Sequence, residues 1–124
     1  MTEFPEARKV AALLAAVAEP TRLRVLWILA RGPQNVGTLA DMVGIPMVNM
    51  SHHLGVMRQS GVLDDEKEGR KVNYKLRPEV FTPGASPETL GVLTLGNFRV
   101  VLHANTQPPP VVVSAKSRRK TAKK

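Results

Sequence analysis

Ser51, His52 and His53 stand side by side in the stretch VNMSHHLGVMRQSGVL, Val48 to Leu63. These residue types ligate metals, form a nucleophile with its base, or hydrogen-bond to polar partners. Their spacing argues against a metal. Neighbours on a helix point about 100° apart, so His52 and His53 cannot share one ion unaided. Histidines that chelate from one helix stand at i and i+4. The remaining histidine, His103, is far along the chain, and there are no cysteines. Zinc needs three or four ligands at set distances, so no metal site and no cofactor are expected. Nucleophilic catalysis fares no better. Ser51 lacks the glycine-flanked turn of a hydrolase nucleophile, and no acid is spaced to orient a base. Asp64, Asp65, Glu66 and Glu68 read as a solvated charge run rather than a carboxylate pair. The chain is therefore not expected to be an enzyme.

Recognition remains. Met50, Leu54 and Met57 are spaced four and three apart, the period of a buried helix face. Asn49, Ser51 and His52, with His53 and Arg58 nearby, then fall on or near the open side. Short polar side chains at the start of a helix suit base edges and phosphates in a major groove. An ordinary solvated helix face would have similar composition, so the surrounding elements must decide.

Those elements form a sequence of their own. Residues 5–17 read as a helix whose stripe is Val10, Leu13, Leu14 and Val17, widened by Ala11, Ala12, Ala15 and Ala16. Pro20 suits the first turn of a second helix, with Leu23, Leu26, Trp27 and Leu29 or Ala30 facing inward. Gly32 and Pro33 end it. TLADMVG is a third, short helix with Leu39, Met42 and Val43 inward and Gly44 as its stop. The quoted stretch then supplies a fourth. Two short helices joined by a glycine-containing turn make a helix-turn-helix. Val72, Tyr74 and Leu76 alternate with Lys71, Asn73, Lys75 and Arg77 after a turn at Gly69, so a β-hairpin follows directly as a wing. Further on, GVLTLGNFRVVLHA holds a Gly-Asn pair between two β-prone runs, which predicts a second hairpin with Leu95 opposite Phe98 and Leu93 opposite Val100. Leu102 joins that side, making one wholly apolar face.

Charge is concentrated late in the chain. The net charge is +8, from 18 basic and 10 acidic side chains, and six of the cations fall between Lys116 and Lys124. Pro108 to Pro110 favour an extended linker, and the segment beyond has too few large apolar residues to fold. A basic tail of this kind suits a polyanionic partner or merely solubilises. The opening MTEFPEARK carries two acids and no basic region before an apolar core, unlike a signal peptide. No apolar run approaches the ~18 residues a membrane span needs, so a cytoplasmic protein is expected.

EPTRLRVLWIL, VGTLADMVGIPMVNMSHHLGVMRQSGVL and EGRKVNYKL together resemble the ArsR-type winged-helix transcriptional repressors of bacteria and archaea. The likeness runs from about Ala7 to Arg77. Its motif residues are Glu19 to Leu26, then Ser51, His52, His53, Leu54, Met57, Arg58, Gly61, Val62 and Leu63. The resemblance implies a homodimer that binds double-stranded operator DNA and represses. It also implies that Asn49, Ser51, His52 and His53 read bases and phosphates, and that Arg70, with Lys71, makes the wing contact. Three departures stand out: Met47 where a glutamine is frequent, Gly55 where a lysine or arginine is common, and acids on the wing strand. The cysteine pair of metal-sensing members is missing from NVGTLADMVG, and their ligand-bearing terminal helix has no counterpart; the inducer stays open.

The expected fold is mostly α with β-hairpins (α+β): a winged helix-turn-helix with an additional C-terminal hairpin over residues 5–104. A disordered basic tail is expected at 105–124. Val10, Leu13, Leu14 and Val17 are expected to pair with a second copy. The alternative is a winged-helix interaction module or a non-specific DNA-coating protein that relies on the basic tail.

Overall fold

The computed structural model describes residues 4–104. The basic tail expected at 105–124 lies outside the described residues. Helix α1 spans Phe4–Val17 and α2 spans Pro20–Leu29; a two-residue strand β1 (Gln34–Asn35) leads into α3 (Val36–Val43) and α4 (Met47–Gln59). The wing is β2 (Leu63–Glu68) and β3 (Lys71–Leu76). Three further strands follow, β4 (Phe81–Pro83), β5 (Thr89–Leu95) and β6 (Phe98–His103).

Local chemistry sets the helix boundaries. Glu19 is extended and its carboxylate accepts the Arg22 amide N–H at 2.8 Å, while Pro20 occupies the first turn of α2. The Asn35 side chain accepts the Thr38 N–H at 2.8 Å and starts α3. Gly44 ends α3 in the left-handed region. A tight turn through Ile45 and Pro46 then throws the chain into α4.

The buried faces of these helices meet in one core. Val25, Leu26 and Leu29 of α2, Leu39, Ala40 and Val43 of α3, and Met50, Leu54 and Met57 of α4 pack with Val62, Leu63 and Leu76 from the wing side. The stripes of α2 and α3 are turned slightly from those the sequence suggests. Trp27 is 42 % exposed and Met42 52 % exposed, and Val25 and Ala40 are buried in their stead. Both helices are apolar over more of their circumference than one packing interface can cover, so the neighbours select which stripe is buried.

Two antiparallel sheets complete the fold, ordered β1-β3-β2 and β4-β5-β6. In the wing, Glu68 pairs with Lys71 across the Gly69–Arg70 turn. The second hairpin has the register its Gly-Asn turn predicts: Leu95 faces Phe98 and Leu93 faces Val100. The short strands β1 and β4 add partners that the alternation pattern did not reveal. At Gly96, φ is +63° and the turn lies so close to α1 that a β-carbon there would strike Val10. Gly91 is closed in the same way by the Phe81 ring and the Thr82 carbonyl.

The apolar face of that hairpin is only partly covered. Leu93, Leu95 and Leu102 belong to the main core, at 2 %, 0 % and 6 % exposure. Phe98 and Val100, expected on the same covered face, are 52 % and 43 % exposed. The sheet order gives the reason. Strand β5 is central and lies on the body, whereas β6 is the edge strand, where Phe98 and Val100 overhang and Leu102 does not. Val101, on the opposite face of β6, is also half-exposed. Of the α1 stripe expected to pair with a second copy, Val10 and Val17 are buried by the chain's own body. Leu13 and Leu14 are half-buried against the same core.

Candidate nucleic-acid interface

Helix α4 has a sharply divided surface. With about 100° per residue, the buried row Met50, Leu54 and Met57 lies opposite a row formed by Val48, His52, Gly55 and Gln59. Ser51 and Arg58 flank that open row on one side and Asn49 on the other. Asn49, Ser51, His52 and Arg58 are all exposed. The buried row, fully enclosed, fixes the helix rotation and therefore what the open row presents.

The start of α4 is electrostatically positive. Its N-cap is Pro46, which makes no side-chain capping bond, and the first turn contains no acidic residue. The first backbone N–H groups of the helix therefore keep their hydrogen-bonding capacity, and the positive end of the macrodipole is not neutralised. Such an end favours an anion.

His53 is placed differently from His52. It is half-buried and turned toward α2, where its Nδ1 lies 3.2 Å from Arg22 Nη1 and 3.8 Å from Glu19 Oε1. Arginine can only donate, so Nδ1 is the acceptor in this contact. Arg22 also donates through Nε to the Ala16 carbonyl at 2.6 Å. The end of α1, the start of α2 and the first half of α4 are thus tied through one guanidinium. The EPTR and SHHL segments, 31 positions apart from Arg22 to His53, meet here. Sequence reasoning placed His53 near the open face because hydrogen bonding between distant segments leaves no periodic signal. A second arginine, Arg24, donates to the Val43 carbonyl at 3.3 Å and holds the end of α3.

Glu19 is held below its ordinary 4.5, first by the Arg22 backbone N–H it accepts and then by the nearby charge of Arg22. A lowered folded-state pKa means that the carboxylate's contribution is complete above about pH 4.5 and is lost as pH falls through the lowered value. Acid unfolding followed by circular dichroism should therefore show stability declining below that pH. Glu19→Gln should flatten the decline; an unchanged acid limb would remove Glu19 from the account.

The wing supplies the second candidate surface. Arg70 and Lys71 are exposed at its tip. The acids behind them are partly occupied. Asp64 lies 3.6 Å from Arg77, whose other partner is Glu79 at 3.1 Å, and Glu68 accepts from the Asn73 amide at 2.8 Å. The tip cations therefore stand outside a strand whose nearest carboxylate, Glu68, already has a partner. Among the described residues, no three His, Asp or Glu side chains come together as metal ligands. No helix of the described residues is long and apolar enough to cross a membrane.

Four helices with an exposed polar second helix of a helix-turn-helix, followed by a wing, define a winged-helix DNA-binding regulator. The comparisons agree. A family model for a helix-turn-helix domain matches residues 17–66. The regulator CmtR of Mycobacterium bovis is 35% identical over 108 residues, covering 87% of this chain and 84% of its own. The biofilm growth-associated repressor of Agrobacterium fabrum is 37% identical over 70 residues, 56% of this chain, and the match spans 60% of the length of that repressor. Among solved structures, the homodimeric winged helix-turn-helix domain of a Mycobacterium bovis protein, a possible ArsR-family regulator, superposes with a TM-score of 0.57 at 27% identity. That match covers 59% of this chain and 68% of the other. The chain belongs to the ArsR-type winged-helix family of transcriptional regulators, a class of DNA-binding proteins rather than enzymes.

Proposed function

We propose that the protein is a dimeric cytoplasmic repressor that binds an inverted-repeat operator. Helix α4 enters the major groove with Asn49, Ser51 and His52 against base edges and phosphates, and Arg58 reaches the flanking backbone. Arg70 and Lys71 of the wing meet phosphate beside the groove. His53 positions α4 through Arg22 and Glu19. The observation that carries this reading is the exposed row of α4, rigidly fixed by an enclosed opposite row and headed by an uncapped helix start.

Two features of the same structure support a dimer. The overhanging Phe98 and Val100 of β6 follow the Gly96 turn, which abuts Val10 of α1, and Leu13 and Leu14 of α1 keep part of their surface exposed. A second copy would cover both, and two subunits would present two copies of α4. The cations from Lys116 to Lys124 add sequence-independent affinity, about 0.9 in salt slope for each phosphate neutralised.

The test is selection of random duplexes by the full chain. The expected product is an inverted repeat with half-site centres about one helical turn, or a multiple of it, apart. Enrichment of no sequence, with binding that depends on salt alone, would favour a DNA-coating protein instead.

A further inference from the structure

The open row on α4 begins with a residue that is not polar. Val48 is 81 % exposed, the most exposed large apolar side chain of the described residues. It lies in the first turn of α4, about 200° from Met50 and one turn before His52 on the same row. The next position of that row is Gly55, where an added β-carbon would meet nothing within 4 Å. The helix is therefore bare one turn beyond His52. A bare backbone can approach the floor of a groove closely, and a short side chain such as valine then reaches base edges without a long stem. Met47, the residue before Val48, is also exposed, at 54 %.

An isopropyl group cannot satisfy the hydrogen-bonding atoms of a guanine, cytosine or adenine edge. The one apolar group displayed in the major groove is the 5-methyl of thymine. Leaving a valine in water at the head of this open face has a cost that burial against such a methyl would recover. We propose that Val48 is a specificity-determining residue that packs on the 5-methyl group of a thymine, beside the base contacted by His52. The inference rests on the reading that α4 enters the major groove, and it adds a preferred base at one position of the half-site.

The two can be told apart experimentally. The sequence selected from random duplexes by the full chain is synthesised with each thymine in turn replaced by deoxyuridine, which removes only the methyl. At one thymine per half-site, wild-type protein should lose about fourfold in affinity, the value of one methyl-sized group returned to water. Val48→Ala, at a position 81 % exposed, should leave the melting temperature unchanged and should bind the thymine and deoxyuridine duplexes nearly equally. If a sequence is selected but no deoxyuridine weakens binding, or if the loss persists in Val48→Ala, this inference is overturned and the groove reading stands. If no sequence is selected, both fall.

Discussion

Leu95→Ala is expected to cost about 2–5 kcal/mol, the range for deleting most of a fully buried leucine, although the residue lies beyond the winged-helix motif. Leu95 has no exposed surface and ends β5 beside the Gly96 turn that abuts Val10 of α1. Together with Leu93 and Leu102 it belongs to the same apolar cluster as Met50, Leu54 and Met57. The second sheet is therefore a wall of the one core. A domain of this size has about 5–15 kcal/mol of stability in all, so the loss should be plain in a urea titration as a lowered midpoint with an unchanged slope. Val101→Ala, on the half-exposed outer face of β6, is the control and should cost well under half as much. Removing residues 90–104 should prevent folding. A Leu95→Ala loss below about 1 kcal/mol, small for a buried leucine, would mean that the second sheet is an appendage.

Phe98→Glu is expected to give a folded monomer that has lost most of its operator affinity. The ring is 52 % exposed in the single chain, so a glutamate there can remain hydrated and the monomer should keep its melting temperature. In a dimer that covers Phe98 and Val100, the same carboxylate would be buried without a partner, which carries a penalty of several kcal/mol. Loss of the dimer also removes the linkage between two half-sites, and linked binding can exceed single-site binding by 10²–10⁴-fold. Sedimentation velocity and titration on the selected inverted repeat read the two effects separately. Leu13→Glu is a harsher variant, because Leu13 also packs against the core, and it should lower the melting temperature as well. A Phe98→Glu protein that sediments as a dimer and binds as wild type would move the interface away from β6.

Much of this architecture was legible in the sequence because its signals are local. The Glu19–Pro20 start, the Gly44 stop and the spacing of Met50, Leu54 and Met57 each act within one or two turns of chain. The Gly96–Asn97 turn fixed the register of the second hairpin for the same reason. What could not be read depends on neighbours. Nothing in the local pattern says that Trp27 and Met42 lose their places to Val25 and Ala40, or that β6 overhangs the body and leaves Phe98 half in water. The strands Gln34–Asn35 and Phe81–Pro83 are too short to show an alternation. At the candidate site, the polar residues of α4 stand out by residue type. His53 was grouped with them although its Nδ1 serves Arg22. Val48 gives no such signal, because it is apolar. The spacing of Val48, His52, Gly55 and Gln59 could have found it, since those positions lie on the helix face opposite the enclosed row.

The most direct test of the central claim, that the open row of α4 reads DNA, is the ratio of affinities for the selected inverted repeat and for random duplex. It should be measured at one fixed salt concentration for wild type, Asn49→Ala and His52→Ala. Both side chains are exposed, so the variants should fold as wild type does. Each should weaken specific binding by about 1–3 kcal/mol, the worth of a good base contact, and leave random-duplex binding nearly unchanged, so the ratio falls about 5- to 150-fold. Equal losses on both duplexes, or no loss on either, would contradict the account.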